Sequence, residues 1–519
     1  MVILCASILL TGAMLSVRPS PVMQAQNAKN PIIWADVPDP SIVRVGHDYY
    51  MSSTTMHMSP GVPIMKSHDL VNWKLISYAY DVLDHTDALD LLDGKNAYGK
   101  GSWASCIRYH RGTFYVSTFS FTTGKTYIYS TKSPEKGPWK KISFSPAFHD
   151  HSLFFDDDGR VYLVTGAGDI RLVELKSDLS GPKPGGVDQV IVHNASAVAG
   201  GEVGLRAEGS QMFKVNGKYY LCNITWPKGD MRTEIVHRAD SITGPYEGRV
   251  MFHDQGVAQG GMIDTPDGKW YAYLFQDHGA VGRIPFLVPM KWVDDWPFVG
   301  VDGKLPDSLD IPVGPSLGAS DIVASDEFNE KTLPLAWQWN HNPGNTLWSL
   351  SARPGFLRLT TGRVDDEVVH ARNTLTQRTF GPTCSGTTLL DASGLKDGDV
   401  AGLVALQGKY GFVGVRRSSD ELSVVMTSAE SGKPVEVQSI PISVKRVYLR
   451  IDCDFRNRAD LATFFYSLDG KAWNPIGAPL HMRYDLSHFM GYRFGLFNFA
   501  TKTPGGSADF DRFHIGSGH

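Results

Sequence analysis

One hairpin is written five times between residues 31 and 300. Each copy is an alternating apolar strand, a short Gly-containing turn and an aromatic-rich strand. The copies are DPSIVRVGHDYYMSST from Asp39, WASCIRYHRGTFYVSTF from Trp103, DHSLFFDDDGRVYLVTG from Asp150, EGSQMFKVNGKYYLCNIT from Glu208 and QGGMIDTPDGKWYAYLFQ from Gln259. Period-two alternation closed by an NG, DG or RG turn is a hairpin signal with a physical cause, because glycine reaches the positive φ that such turns need. Taking the first apolar residue after each turn as an anchor gives Tyr49, Phe114, Val161, Tyr219 and Trp270, spaced by 65, 47, 58 and 51 residues. Further strand-like stretches fill the intervals, as in PIMKSHDLVNWKLI and TYIYSTKSPEKGPWKKI. Repeats of that length with several strands each predict a five-bladed β-propeller. Trp73 and Trp139, in the SxDLxxW and SPxGPW turns, are expected to pack between blades.

The chain has 519 residues, 53 of them Gly, with 11% aromatic residues and a formal charge of -4. That length buries a large core without disulfides, and the weak negative charge gives no electrostatic footprint for nucleic acid or an anionic membrane. MVILCASILLTGAMLS at residues 1–16 is apolar and a polar stretch follows it, which predicts a signal peptide over residues 1–28 and a secreted or periplasmic protein. No later run is apolar enough to span a membrane. Cys106, Cys222, Cys384 and Cys453 are far apart with no CxxC pair, which argues against zinc or iron–sulfur. A Cys384–Cys453 disulfide stays open beside buried free thiols.

In a propeller the first strand of each blade lines the central channel, and its start faces one mouth. Counting back 11 residues from four anchors gives Trp103, Asp150, Glu208 and Gln259, and counting back 10 from Tyr49 gives Asp39. Three carboxylates, a Trp and an amide are thus expected around one mouth. The acids precede apolar strands, in VPDPSIV, FHDHSLFF and RAEGSQMF, where burial and mutual repulsion can separate their pKa values. Converging carboxylates in an aromatic pocket suit glycosidic bond hydrolysis, in which one acid protonates the leaving oxygen and another activates water.

On these residues the chain resembles glycoside hydrolase family 43, a family of five-bladed propellers that invert the anomeric centre. The motifs carrying the resemblance are WADVPDPSIVRVGHDYYMSSTT, the HD-x-SLFFDDDGRVYLV strand and the AEGSQMFKVNGKYYL strand. The resemblance implies Asp39 as general base, Asp150 as pKa modulator and acid-positioning group, and Glu208 as general acid. It also implies a substrate among arabinose- or xylose-containing plant cell-wall oligosaccharides and polysaccharides, with exo action. Arg283 matches a family arginine that reaches the terminal sugar. Trp103 is expected to stack on that sugar and His57 to rim the pocket. The usual fifth-blade His is replaced around Gln259, so His278 is expected to supply the channel imidazole.

The stretch 304–324, rich in Pro, Gly, Ser and Asp, reads as a linker between a propeller over 29–303 and a second all-β unit over 325–519. Strand-like FLRLTT, YGFVGVRR, VYLRIDCDF and YRFGLFNFA predict a sandwich, which resembles the concanavalin-like domain attached to this part of the family. Such sandwiches often share a structural calcium between terminal acids, here Glu327 and Asp511; the chemistry itself requires no cofactor. The WQWNHNPGNTLWSL segment, with Trp337, Trp339 and Trp348, is expected to plug against the propeller. The resulting expectation is an inverting exo-hydrolase of terminal α-L-arabinofuranosyl or β-D-xylosyl units. An endo-arabinanase and a carbohydrate-binding protein without activity are the alternatives.

Overall fold

The computed structural model describes residues 26–313 and 322–518. Most of the expected signal peptide, residues 1–25, lies outside them. Gln26–Lys29, inside the expected signal, is a strand paired antiparallel with Ser308–Val313, and Ala28 is buried. The folded body therefore begins before residue 29, and part of the expected linker is a strand; residues 314–321 lie outside the described part.

Five four-stranded antiparallel sheets follow one another along the chain, and every blade is one continuous segment. Their inner strands are Ser41–Val45, Cys106–His110, Ser152–Phe155, Val203–Val215 and Ala258–Asp264 for blades I to V. Second strands are buried on both faces because each lies between neighbouring sheets, as the run of buried residues in Val161–Ala167 shows. Such strands read as continuous apolar runs rather than strict alternation. Arg108, on the inner strand of blade II, fastens the channel: its guanidinium donates to Ser152 Oγ at 2.8 Å and Gln211 Oε1 at 3.0 Å. Trp73 is buried against Leu70 and Leu75, and its indole N–H donates to the Leu70 carbonyl at 2.9 Å.

The C-terminal part is a sandwich of two large antiparallel sheets. Its core of Val, Leu and Phe residues, such as Leu403, Leu449, Phe494 and Phe510, is continuous with residues of blades IV and V. Cys384 and Cys453 face each other on the adjacent strands Thr383–Asp391 and Arg446–Asp454, both buried and both free.

The two parts are sewn together. Met58–Ser59, from a loop of blade I, pairs with Gln338–Asn340 and so becomes the edge of a sandwich sheet. The plug expected from the Trp-rich segment is seen around it. Asn340 donates to Tyr98 Oη at 2.7 Å, His341 Nε2 accepts from Ala97 N–H at 2.9 Å, and Asn342 donates to the Asp84 carbonyl at 2.9 Å. Trp337 and Trp339 are buried, and Trp339 packs on Trp348. Asp36 is a second seam. Its two carboxylate oxygens accept the N–H of Arg283 in blade V at 2.8 Å and of Gly491 in the sandwich at 3.0 Å.

Candidate active site

The inner hairpins differ in turn length, and that decides which side chains share a level. Blades I, II and IV have two-residue turns, at 46–47, 111–112 and 216–217, whereas blades III and V have five-residue turns, at 156–160 and 265–269. Equivalent channel positions therefore lie ten residues before the anchor in the first group and eleven in the second. They are Asp39, Ala104, Asp150, Gly209 and Gln259. Four of these take the left-handed conformation, with φ of 51° at Asp39, 41° at Asp150, 66° at Gly209 and 59° at Gln259. A uniform count of eleven puts Glu208 and Trp103 on the level of Asp150; the structure puts them one residue earlier. That earlier level holds Trp103, His149 and Glu208 in three consecutive blades.

The lower ring encloses a cavity of about 10 Å³, lined by Asp39, Asp150, His151, Gly209 and Gln259 among others. That is room for about one water molecule. Gly209 is required here, because a Cβ on it would lie 2.9 Å from the side chain of Gln259. Ser210 N–H donates to the Asp150 carbonyl at 3.1 Å, which ties blades III and IV together at the mouth. The channel imidazole is His151 rather than His278. Burial lowers the His151 pKa to about 4; Nδ1 is bonded to the Phe148 carbonyl and Nε2 has no partner. His278 instead lies outside the channel, edge-on to Trp34 and bonded to Gln276, because the strand Trp270–Asp277 ends before it and turns toward the sandwich.

Each acid has its own environment. Asp39 is buried, and its Oδ1 accepts from Arg283 Nη1 at 2.8 Å. Burial raises the Asp39 pKa, Arg283 pulls it down, and Glu208 and Asp36 push it up again. Arg283 is only 3% exposed and lies 4.1 Å over the ring of Phe489, so it belongs to the site rather than to a surface ion pair. Asp150 is held well above the usual carboxylate range by burial, which the neighbouring His149 opposes and Glu208 and Asp39 reinforce. Glu208 sits between register shifts in its strand, and the bulge aims its side chain into the mouth. Its Oε2 lies 3.0 Å from His149 Nε2, and Asp150 Oδ2 lies 3.8 Å from the same nitrogen. Burial disfavours a charged His149, yet Asp150, Glu208 and Asp39 outweigh it and raise its pKa to about 9.

An aromatic wall completes the mouth. Trp103 lies among Phe119, Phe121, His149 and Phe489, with the Phe489 ring centre 5.1 Å away. Phe489 comes from the sandwich. His57 does not rim this pocket. It is 1% exposed, packed with Tyr98, His341 and His488 where propeller and sandwich meet, because the adjacent Met58–Ser59 strand draws its loop into the sandwich sheet. Glu327 contacts His514, and Asp511 falls in a bulge beside Arg512 at 3.9 Å. Among the described residues, two groups of three could offer metal ligands, His149–Asp150–Glu208 and Asp366–Glu367–His370, and neither includes that pair.

Sequence reasoning missed His149, His151, Asp36 and Phe489. His149 was within reach, since correcting the count for turn length aligns it with Trp103 and Glu208. Phe489 carried no local signal, because it enters from more than 200 residues downstream of the propeller's inner strands.

A five-bladed propeller with a buried, Arg-paired aspartate facing a His-paired glutamate across an aromatic-walled mouth defines a hydrolase of glycosidic bonds. Residues 28–297 match the model of glycosyl hydrolases family 43, and residues 325–516 match that of the beta xylosidase C-terminal concanavalin A-like domain. The chain belongs to glycosyl hydrolases family 43. It is 30% identical to the beta-xylosidase of Formosa agariphila, over 93% of this chain and 89% of that one. It is 31% identical to a non-reducing end alpha-L-arabinofuranosidase of Bacteroides ovatus, over 64% of each. The solved structure of a bifunctional GH43-CE protein of Bacteroides eggerthii is 60% identical and superimposes with a TM-score of 0.94 over 95% of this chain. This chain spans 64% of that protein's length.

Proposed function

We infer that the protein is an inverting, exo-acting glycosidase. It releases single terminal α-L-arabinofuranosyl or β-D-xylosyl units from the non-reducing ends of arabinoxylan, arabinan or xylo-oligosaccharides. The observation that carries this reading is the split of partners across the mouth. Asp39 is paired with a permanent cation and is the carboxylate suited to accept a proton. Glu208, bonded to His149 and partly exposed at the mouth, is the carboxyl placed to deliver one.

In this scheme Asp39 takes a proton from water as its oxygen attacks the anomeric carbon. Glu208 protonates the departing oxygen from the opposite side. Burial raises the Asp150 pKa, so that it places less negative charge beside Glu208 than an exposed aspartate would. Every step is proton transfer and displacement within the site, so no cofactor is called on. Trp103 offers a face to the apolar CH side of the sugar, and Arg283 fixes Asp39 beside it.

Exo action is favoured by Phe489, which brings the sandwich over one side of the mouth beside Trp103 and Arg283. A lectin would not need carboxyls with divided partners. The relatives named for xylosidase and arabinofuranosidase activity support the pentosyl reading. The apolar segment 1–16 supports a secreted or periplasmic enzyme.

The test is the first product formed from aryl β-xyloside and aryl α-L-arabinofuranoside, followed by proton NMR before mutarotation. Inverted free pentose from either substrate is expected. A retained anomer, or oligosaccharides released from arabinan before any monosaccharide, overturns the reading. The ratio of the two rates assigns the sugar.

A further inference from the structure

Glu208 must hold one orientation toward the leaving oxygen, and its own strand does not secure it. Register shifts flank it on both sides, its side chain is 22% exposed, and its carboxyl is held by a hydrogen bond to His149. His149, in contrast, is clamped. Its ring stacks on Phe121, with centres 5.9 Å apart and planes 17° apart, and lies edge-on to Phe119 at 5.4 Å. Its backbone carbonyl accepts from Thr165 Oγ1 at 2.5 Å. One imidazole nitrogen thus faces both acids, 3.0 Å from Glu208 and 3.8 Å from Asp150, while the side chain keeps 25% of its surface in contact with solvent.

On the reading of Glu208 as the acid, we propose that His149 is its positioning residue: Nε2 holds one carboxyl oxygen, so that the other is turned with its proton toward the leaving oxygen. Glu208 gives that proton to the glycosidic oxygen as the bond to carbon breaks, and the resulting carboxylate regains a proton from solvent at the open mouth before the next turnover, while the proton taken up by Asp39 leaves to solvent.

The full chain carrying His149→Gln, and separately His149→Asn, is assayed against pH on two substrates. A pentosyl disaccharide has a poor leaving group that needs the acid, whereas a nitrophenyl pentoside has a good one that needs little proton help. Both variants should lose about 100-fold in kcat on the disaccharide, the low end of one acid–base contribution. On the nitrophenyl substrate they should lose less than about threefold, with KM nearly unchanged on both. The alkaline limb of kcat/KM should move to higher pH, because the imidazole that favours the Glu208 carboxylate is gone. Equal losses on both substrates with an unmoved limb would mean a merely structural ring and would overturn the proposal. Activity lost to a chelator and restored by a divalent ion would also overturn it, because Nε2 would then hold metal rather than a proton. Glu208→Gln is run in parallel. Activity retained there on the disaccharide sinks the acid assignment itself, whereas an inactive Glu208→Gln beside wild-type-like His149 variants sinks only the role of His149.

Discussion

The two ends of the same five hairpins solve opposite problems. At the turn end, positive φ falls on exposed residues: Gly46 at 65°, Gly112 at 79° and Gly217 at 81°, each with open space where a Cβ would go, with exposed Arg111 at 48° and Asn216 at 49° beside the last two. At the starting end, positive φ is taken by Asp39, Asp150 and Gln259, with Gly209 the one glycine. A left-handed residue that is not glycine costs roughly 1–3 kcal/mol where the surroundings must hold it, and Asp tolerates it better than most. Burial adds to that cost for Asp39 and Asp150, whose pKa values it raises. One end is therefore relaxed and the other loaded, although both belong to the same strands. The loaded end holds the acids, which is where a strained and desolvated carboxyl has chemical use.

Substitutions can test this contrast from its strong end to its weak one. Asp39→Asn should lower kcat by about 10³- to 10⁴-fold, near the upper range of a single acid–base group, while the melting temperature stays equal or rises. Activity above a tenth of wild type would remove Asp39 from the base role. Asp150→Asn should lower kcat by about 100-fold and change stability with a definite sign. The folded pKa of Asp150 lies above the usual value, so its ionisation destabilises the fold progressively as pH rises above the ordinary carboxylate range. The variant should thus melt higher than wild type at pH 8 and alike at pH 4. A stability gain confined to low pH would contradict a buried, raised carboxyl.

Phe489→Ala removes the sandwich's share of the mouth. It should cost about tenfold in kcat/KM, mostly through KM, with the fold intact. Unchanged kinetics would mean that the sandwich does not help to shape the site. Gly217→Ala, at the relaxed end, should cost about 1 kcal/mol of stability and leave kcat and KM unchanged. A loss of activity there would show that the two ends are coupled rather than independent.

Much of the fold was legible because hairpins are local. Alternation, glycine turns and aromatic second strands in each of the five copies arise from neighbours a few residues apart, and the sandwich strands share that property. Asp39, Asp150 and Glu208 were legible because the repeat reports which end of a strand they occupy. The relation among them was not, because two-residue and five-residue turns shift the level by one position. A fixed count therefore merged two rings and hid His149 beside Asp150.

His57, His278, Glu327 and Asp511 show the other boundary. Each sits in a motif that allows a functional place, and the place was lost to long-range packing. Met58–Ser59 joins the sandwich sheet and carries His57 into the domain junction. The turn after Asp277 sends His278 against Trp34. His514 takes Glu327, and a bulge sets Asp511 aside.

The sequence by itself determined the five blades, the attached sandwich and which three carboxyls stand at the starts of inner strands, since these follow from periodicity and local turn chemistry. Only the tertiary structure decided which acid is paired with which cation. The Arg283–Asp39 bond joins residues 244 positions apart, and the His149–Glu208 bond joins two blades. Charge and protonation depend on distance and burial in space, and neither quantity is carried by spacing along the chain.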